Sequence, residues 1–72
     1  MKLTSEIEKI CATGCNVTID ASHKLTSELI KLAEVSHKSG GMLTIKNCDR
    51  FLTSELQKIG ASGKGHVTID LS

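Results

Sequence analysis

The sequence predicts one α/β domain: three helix–strand units forming a short parallel sheet with helices on one face, in the manner of a solenoid. Three observations carry this. A Leu-Thr-Ser-Glu-Ile/Leu phrase occurs at Leu3–Ile7, Leu25–Leu29 and Leu52–Leu56. A strand-like phrase follows each copy: VTID at Val17–Asp20, LTIK at Leu43–Lys46 and VTID at Val67–Asp70. Each leading phrase opens a 3.6-residue apolar period, and each trailing phrase alternates with period two. Residues 1–72 are read as a single domain whose units run over approximately 2–23, 24–50 and 51–72.

The first helix places Leu3, Ile7, Ile10 and Cys11 on one stripe; the second repeats the spacing with Leu25, Leu29, Leu32 and Ala33. The third keeps Leu52, Leu56 and Ile59. Such a stripe buries one face of each helix. Thr4, Thr26 and Thr53 stand where an N-cap is expected, with an acid two residues later near the positive end of the helix dipole. That spacing falls short of a capping box, which needs the acid three residues on. Leu25 is expected to staple onto Ile30, a device the other two helices lack because Glu8 and Gln57 stand there. Gly14, the Gly40-Gly41 pair and the stretch from Gly60 to Gly65 are the expected helix stops, the last being the loosest.

In the strands, Val17 and Ile19, Leu43 and Ile45, and Val67 and Ile69 alternate with threonines and charged residues, so one sheet face is covered and the other wet. The same order in every unit implies parallel strands joined by right-handed helical crossovers. Parallel sheets ordinarily have both faces covered; a solenoid is the main architecture that leaves one wet. Stacked in chain order, the wet face has rows Asn16–Met42–His66, Thr18–Thr44–Thr68, Asp20–Lys46–Asp70 and Ser22–Cys48–Ser72. A lysine between two aspartates favours the middle place for the second strand. The first nine of these residues, Asn16 through Asp70, are the candidate binding face.

Composition narrows the function. Apolar residues are 39% and charged residues 24%, which describes a globular chain rather than a disordered one. A net charge of +1 and a single aromatic, Phe51, argue against nucleic acid, which needs a basic field or stacking platforms. No apolar run approaches a membrane span, and MKLTSEIEKI mixes charged and apolar residues unlike a secretory signal, so a cytoplasmic location is expected. Three cysteines, an odd number, fit reduced thiols better than a disulfide framework.

The stretch from Leu43 to Ser72 resembles a leucine-rich repeat of the cysteine-containing, ribonuclease-inhibitor kind. That family's strand motif, L-x-L-x-x-N/C, is matched by Leu43-x-Ile45-x-x-Cys48, and with serine in the last place by Val17-x-Ile19-x-x-Ser22 and Val67-x-Ile69-x-x-Ser72. The Leu-Thr-Ser helix start is similar too. The resemblance implies that Cys48, Ser22 and Ser72 tie together backbone groups where each strand turns away. Departures are clear: Gly40 and Lys64 stand where the family has a further leucine, the Leu-Thr-Ser phrases are 22 and 27 residues apart, and no capping elements flank the array.

Sites for chemistry are sparse. Gly60-Ala-Ser-Gly-Lys-Gly has the wrong glycine spacing, the wrong residue after lysine and the wrong flanking elements for a phosphate loop. Cys11 and Cys15 lie one helical turn apart, with His23, His37, Cys48 and His66 as the remaining candidates for a zinc site. Cys11 falls on the buried stripe and is read as core, and His23 and His37 are read as solvated. A Cys48 nucleophile with His23 or His66 lacks an oxyanion motif and a lid. The chain is therefore expected to have no catalytic activity and no cofactor. The expected function is protein binding, with self-association through unprotected strand edges into a homo-oligomer. The alternatives are a small inhibitor or regulator of a larger protein, of bacterial or phage type, and a Cys/His metal-binding protein.

Overall fold

A computed structural model describes residues 3–71. Helix α1 spans Thr4–Cys11, α2 Thr26–Ser39 and α3 Thr53–Gly63; strands β1 (Val17–Asp20), β2 (Leu43–Lys46) and β3 (Val67–Ile69) alternate with them. The strands are parallel in the order β1-β2-β3, with Val17 opposite Leu43 opposite Val67 and Thr18 opposite Thr44 opposite Thr68. The expected rows through Thr18 and from Asp20 to Lys46 are thus present, while Asp70 lies just past the end of β3.

The core sits between the helices and the apolar side of the sheet. Leu29, Leu32, Leu43, Ile45 and Ile59 are fully buried, joined by Cys11, Ala21, Ala33 and Cys48. Burying one leucine stabilises by about 1.5–3 kcal/mol. The central unit has neighbours on both sides and is the best covered: Leu43 and Ile45 are inaccessible, whereas Val17, Ile19, Val67 and Ile69 are half-buried.

Several local expectations are corrected. The N-caps are Leu3, Leu25 and Leu52, with extended backbone; the threonines are already the first helical residues. This moves the acids to the third helical position. There Glu6, Glu28 and Glu55 each accept a hydrogen bond from the backbone N–H of their leucine, at 3.0, 2.8 and 2.8 Å. Leucine has no oxygen to return the bond, so each helix carries the acidic half of a capping box. The staple does not form either, and the leading leucines leave the buried stripes: Leu3, Leu25 and Leu52 are caps with extended backbone, and all three are exposed.

Helix α3 ends inside the expected stretch from Gly60 to Gly65, at Gly63, but its left-handed cap is not a glycine. Glycine permits a left-handed residue without requiring one, and the chain turns at Lys64 instead, with φ 47°. Gly63 serves close packing: a Cβ there would come within 2.2 Å of the Val67 side chain. Cys48, placed by alternation on the wet side, is buried, because the backbone leaves strand geometry at Asn47, whose φ is 56°. His37 is half-buried rather than solvated, its ring 5.3 Å from that of His66. Ser72 lies outside the described residues.

Candidate functional site

The wet sheet face is built by the β-strand alternation, and its residues differ in how free they are. Thr18 and Thr68 are exposed on the outer strands, Thr44 is half-buried between them, and Lys46 and Asn16 are exposed. Asp20 is engaged: it accepts hydrogen bonds from the Ser22 hydroxyl at 2.6 Å, the Ser22 N–H at 2.8 Å and the Asn47 amide at 2.9 Å. Those donors, the Ser22 hydroxyl foremost, hold its carboxyl below the usual range. His66 is engaged too, its Nδ1 2.8 Å from the Gly41 carbonyl. Met42 is half-buried beside it, and Asp70 sends its N–H to the Ile45 carbonyl at 3.0 Å. The open part of this face is the threonine row with Lys46 and Asn16.

A second feature escaped the sequence reading. The Thr4 hydroxyl donates to the Glu28 carboxylate at 2.5 Å, and the Thr26 hydroxyl donates to Glu55 at 2.8 Å. Each threonine at the head of one helix therefore reaches the glutamate in the first turn of the next. One oxygen of that glutamate takes the leucine N–H of its own helix and the other takes the preceding threonine. The Glu28 carboxyl is held below its ordinary range, first by Thr4 and then by the Leu25 N–H; for Glu55 the Leu52 N–H leads and Thr26 follows. Lys24, buried at the start of the second unit, also donates to Thr4, at 3.0 Å. The sequence signal is the identical Thr-x-Glu of all three units, which spacing alone reads as a cap.

Arg50 is the other side chain that sequence reasoning missed. Its guanidinium donates to the Ser22 carbonyl at 2.9 Å, to the Ala21 carbonyl at 3.4 Å and to the Lys24 carbonyl, while lying 4.3 Å above the Phe51 ring. It binds the turn after β1 to the turn after β2. A cation can satisfy several carbonyls that a turn leaves without partners.

Two apolar grooves lie at opposite ends of the sheet. One, of about 290 Å³, is lined by Ile7, Ile10, Val17 and Ile19, with Lys24 at its edge. The other, of about 530 Å³, is lined by Leu56, Gly60, Ile69 and Leu71, with Thr53 at its edge. The burial of equivalent residues explains both. Ile10 is 41% exposed while Leu32 and Ile59, at the same place in later units, are fully buried, so the preceding unit is what covers this position. Leu56 and Gly60 are half-buried while their equivalents Ile7, Leu29, Cys11 and Ala33 are buried, so the following unit covers those.

The cysteines do not converge. Cys11 and Cys48 are buried, and burial pushes both thiols up, away from the thiolate that nucleophilic or metal chemistry needs. Cys48 donates to the Asp70 carbonyl at 3.5 Å, and Ser22 closes the turn on Asp20. Cys15 is exposed and contacts Thr13 and the Ile10 carbonyl. Among the described residues no three His, Cys, Asp or Glu side chains are placed to hold a metal ion, and no helix is long and apolar enough to cross a membrane. Comparison with family models, with curated proteins and with solved structures finds no match to this chain.

Proposed function

We propose that this chain is a small, repeat-built protein-binding module that associates with itself and has no catalytic activity. The three units are read as a short solenoid of leucine-rich-repeat type, extended by whatever pairs with its outer strands. The observation that supports this is the half-burial of Val17, Ile19, Val67 and Ile69 beside a central strand whose Leu43 and Ile45 are inaccessible. A parallel strand with a neighbour on one side only leaves a row of N–H and C=O groups open on the other, which recruits a further strand. The threonine row with Lys46 offers a second, polar surface for a partner.

The test is light scattering behind size-exclusion chromatography on reduced protein, over a wide concentration range and with or without chelator. A mass that rises with concentration and ignores chelator supports the reading. A mass that collapses with chelator replaces it with a metal-dependent one, and a monomer under every condition removes self-association.

A further inference from the structure

We infer that the two ends of the molecule are complementary halves of one junction, so that copies stack head to tail: β3 of one copy pairs in parallel with β1 of the next. This rests on the self-association proposed above and specifies its geometry.

The internal junctions supply the template. At each, three things coincide: parallel pairing of the strands, an apolar side chain (Leu32 or Ile59) buried by the unit before it, and a threonine-to-glutamate hydrogen bond. The C-terminal end carries the donor half of such a junction. It has the Thr53 hydroxyl, which has no carboxylate partner among the described residues, and a groove floored by Leu56 and Gly60. The N-terminal end carries the acceptor half. Glu6 takes the Leu3 N–H on one oxygen, leaving for a threonine the oxygen that Glu28 and Glu55 give to Thr4 and Thr26. Ile10 stands exposed where Leu32 and Ile59 are covered.

The register follows from the same template. The Val17 N–H donates to the Met42 carbonyl and the Leu43 N–H to the His66 carbonyl, at 2.8 and 2.9 Å. The corresponding bond between copies runs from the Val67 N–H to the Asn16 carbonyl of the next copy. Size also fits. The position opposite the incoming Ile10 is cysteine, alanine and glycine in the three units, so the open end is the roomiest; a Cβ built on Gly60 meets nothing within 4 Å.

An antiparallel, two-fold pairing of β1 with β1 or of β3 with β3 cannot use these features, because it joins two acceptor ends or two donor ends and sets the start of each end helix beside the end of its partner, so no Thr53 meets a Glu6. The head-to-tail contact joins two different patches, so it does not close after two copies and continues into longer assemblies. One feature opposes it: the register brings Asp70 near Asp20 of the next copy, where the internal junction has Lys46 against Asp20. Added salt, or Asp70→Asn, is therefore expected to strengthen the association.

The test uses two variants, each with one end blocked, measured by sedimentation equilibrium against the full chain. Ile10→Lys replaces an exposed helix residue at the N-terminal end. Gly60→Leu fills the C-terminal groove and adds a better helix former, and circular dichroism confirms that both fold. The full chain should show a mass rising past the dimer, each variant alone should stay monomeric, and an equimolar mixture should give a one-to-one dimer and nothing larger. Thr53→Val should weaken assembly of the full chain about two- to tenfold, the range for a lost hydrogen bond. Persistent dimers of either single variant, or two monomeric variants that ignore each other, overturn the head-to-tail junction while leaving self-association standing. A monomeric full chain at all concentrations overturns both.

Discussion

At the residue scale, the glutamates in the first helical turns do more than favour a dipole. Glu28 joins two units, taking one hydrogen bond from its own helix and one from Thr4 of the unit before. Its carboxyl is held below the ordinary range in the folded state, by Thr4 first. A depressed folded value contributes stability that is fully present above the unfolded value, about 4.3, and is lost as pH falls through the lower folded value. Glu55 carries the same sign. Thermal melts between neutral pH and pH 3 should therefore show the melting temperature falling on the acid side. Glu28→Gln should shrink that fall while lowering stability at neutral pH; an unchanged acid limb would mean Glu28 is not part of it. The pair of exposed Lys31 and half-buried Glu8, 3.6 Å apart between α1 and α2, contributes little, since an ion pair reached by solvent gains little over its hydrated partners.

At the scale of the elements, glycines of similar appearance have opposite roles. A Cβ on Gly41 would lie 2.5 Å from the Cys15 carbonyl oxygen and 2.9 Å from the Gly14 carbonyl, all backbone atoms that cannot swing aside. That close approach lets the chain entering β2 run against the chain entering β1. Gly60 lies inside α3 facing open space. Gly41→Ala should therefore destabilise by about 1–3 kcal/mol, while Gly60→Ala should stabilise by up to about 1 kcal/mol. Urea titrations of the two variants decide it, and equal effects would defeat the distinction. Boundary prediction failed at the helix starts because a threonine is the better cap in isolation, yet in all three units the glutamate takes the leucine N–H, which makes leucine the cap and threonine the first helical residue.

At the scale of the whole molecule, stability rests on apolar burial between units, with the hydrogen bonds fixing which surfaces meet. A solvent-accessible hydrogen bond adds little beside the burial of Leu29, Leu32, Leu43, Ile45 and Ile59. Three free thiols report on this directly. Cys15 is exposed while Cys11 and Cys48 are 0% and 1% exposed in the shared core, so one thiol should label at once and two only as the core opens. If opening is cooperative, the two slow thiols should label together, and the labelling free energy should equal that from urea. Separate rates would show that the end units open one at a time.

The sequence by itself determined the element order, the strand residues up to Ile69, the parallel register through the threonine row and the inner part of the core, Ile7, Leu29, Leu32, Ala33, Leu43, Ile45 and Ile59, but not the exposure of Leu3, Leu25 and Leu52 or the burial of Ala21 and Phe51. These follow from periodicity, and the phrase repeated in each unit states the periodicity three times over. It also placed Cys11 in the core. Tertiary structure alone decided where the threonine hydroxyls point, which carbonyls Arg50 gathers, and that Cys48 turns inward at Asn47. Those outcomes depend on groups some 20 to 29 residues away in the chain, brought close only by stacking of the units. The unequal exposure of Ile10 and Ile59 has the same origin: alike in sequence, they differ because one has a unit before it and the other does not.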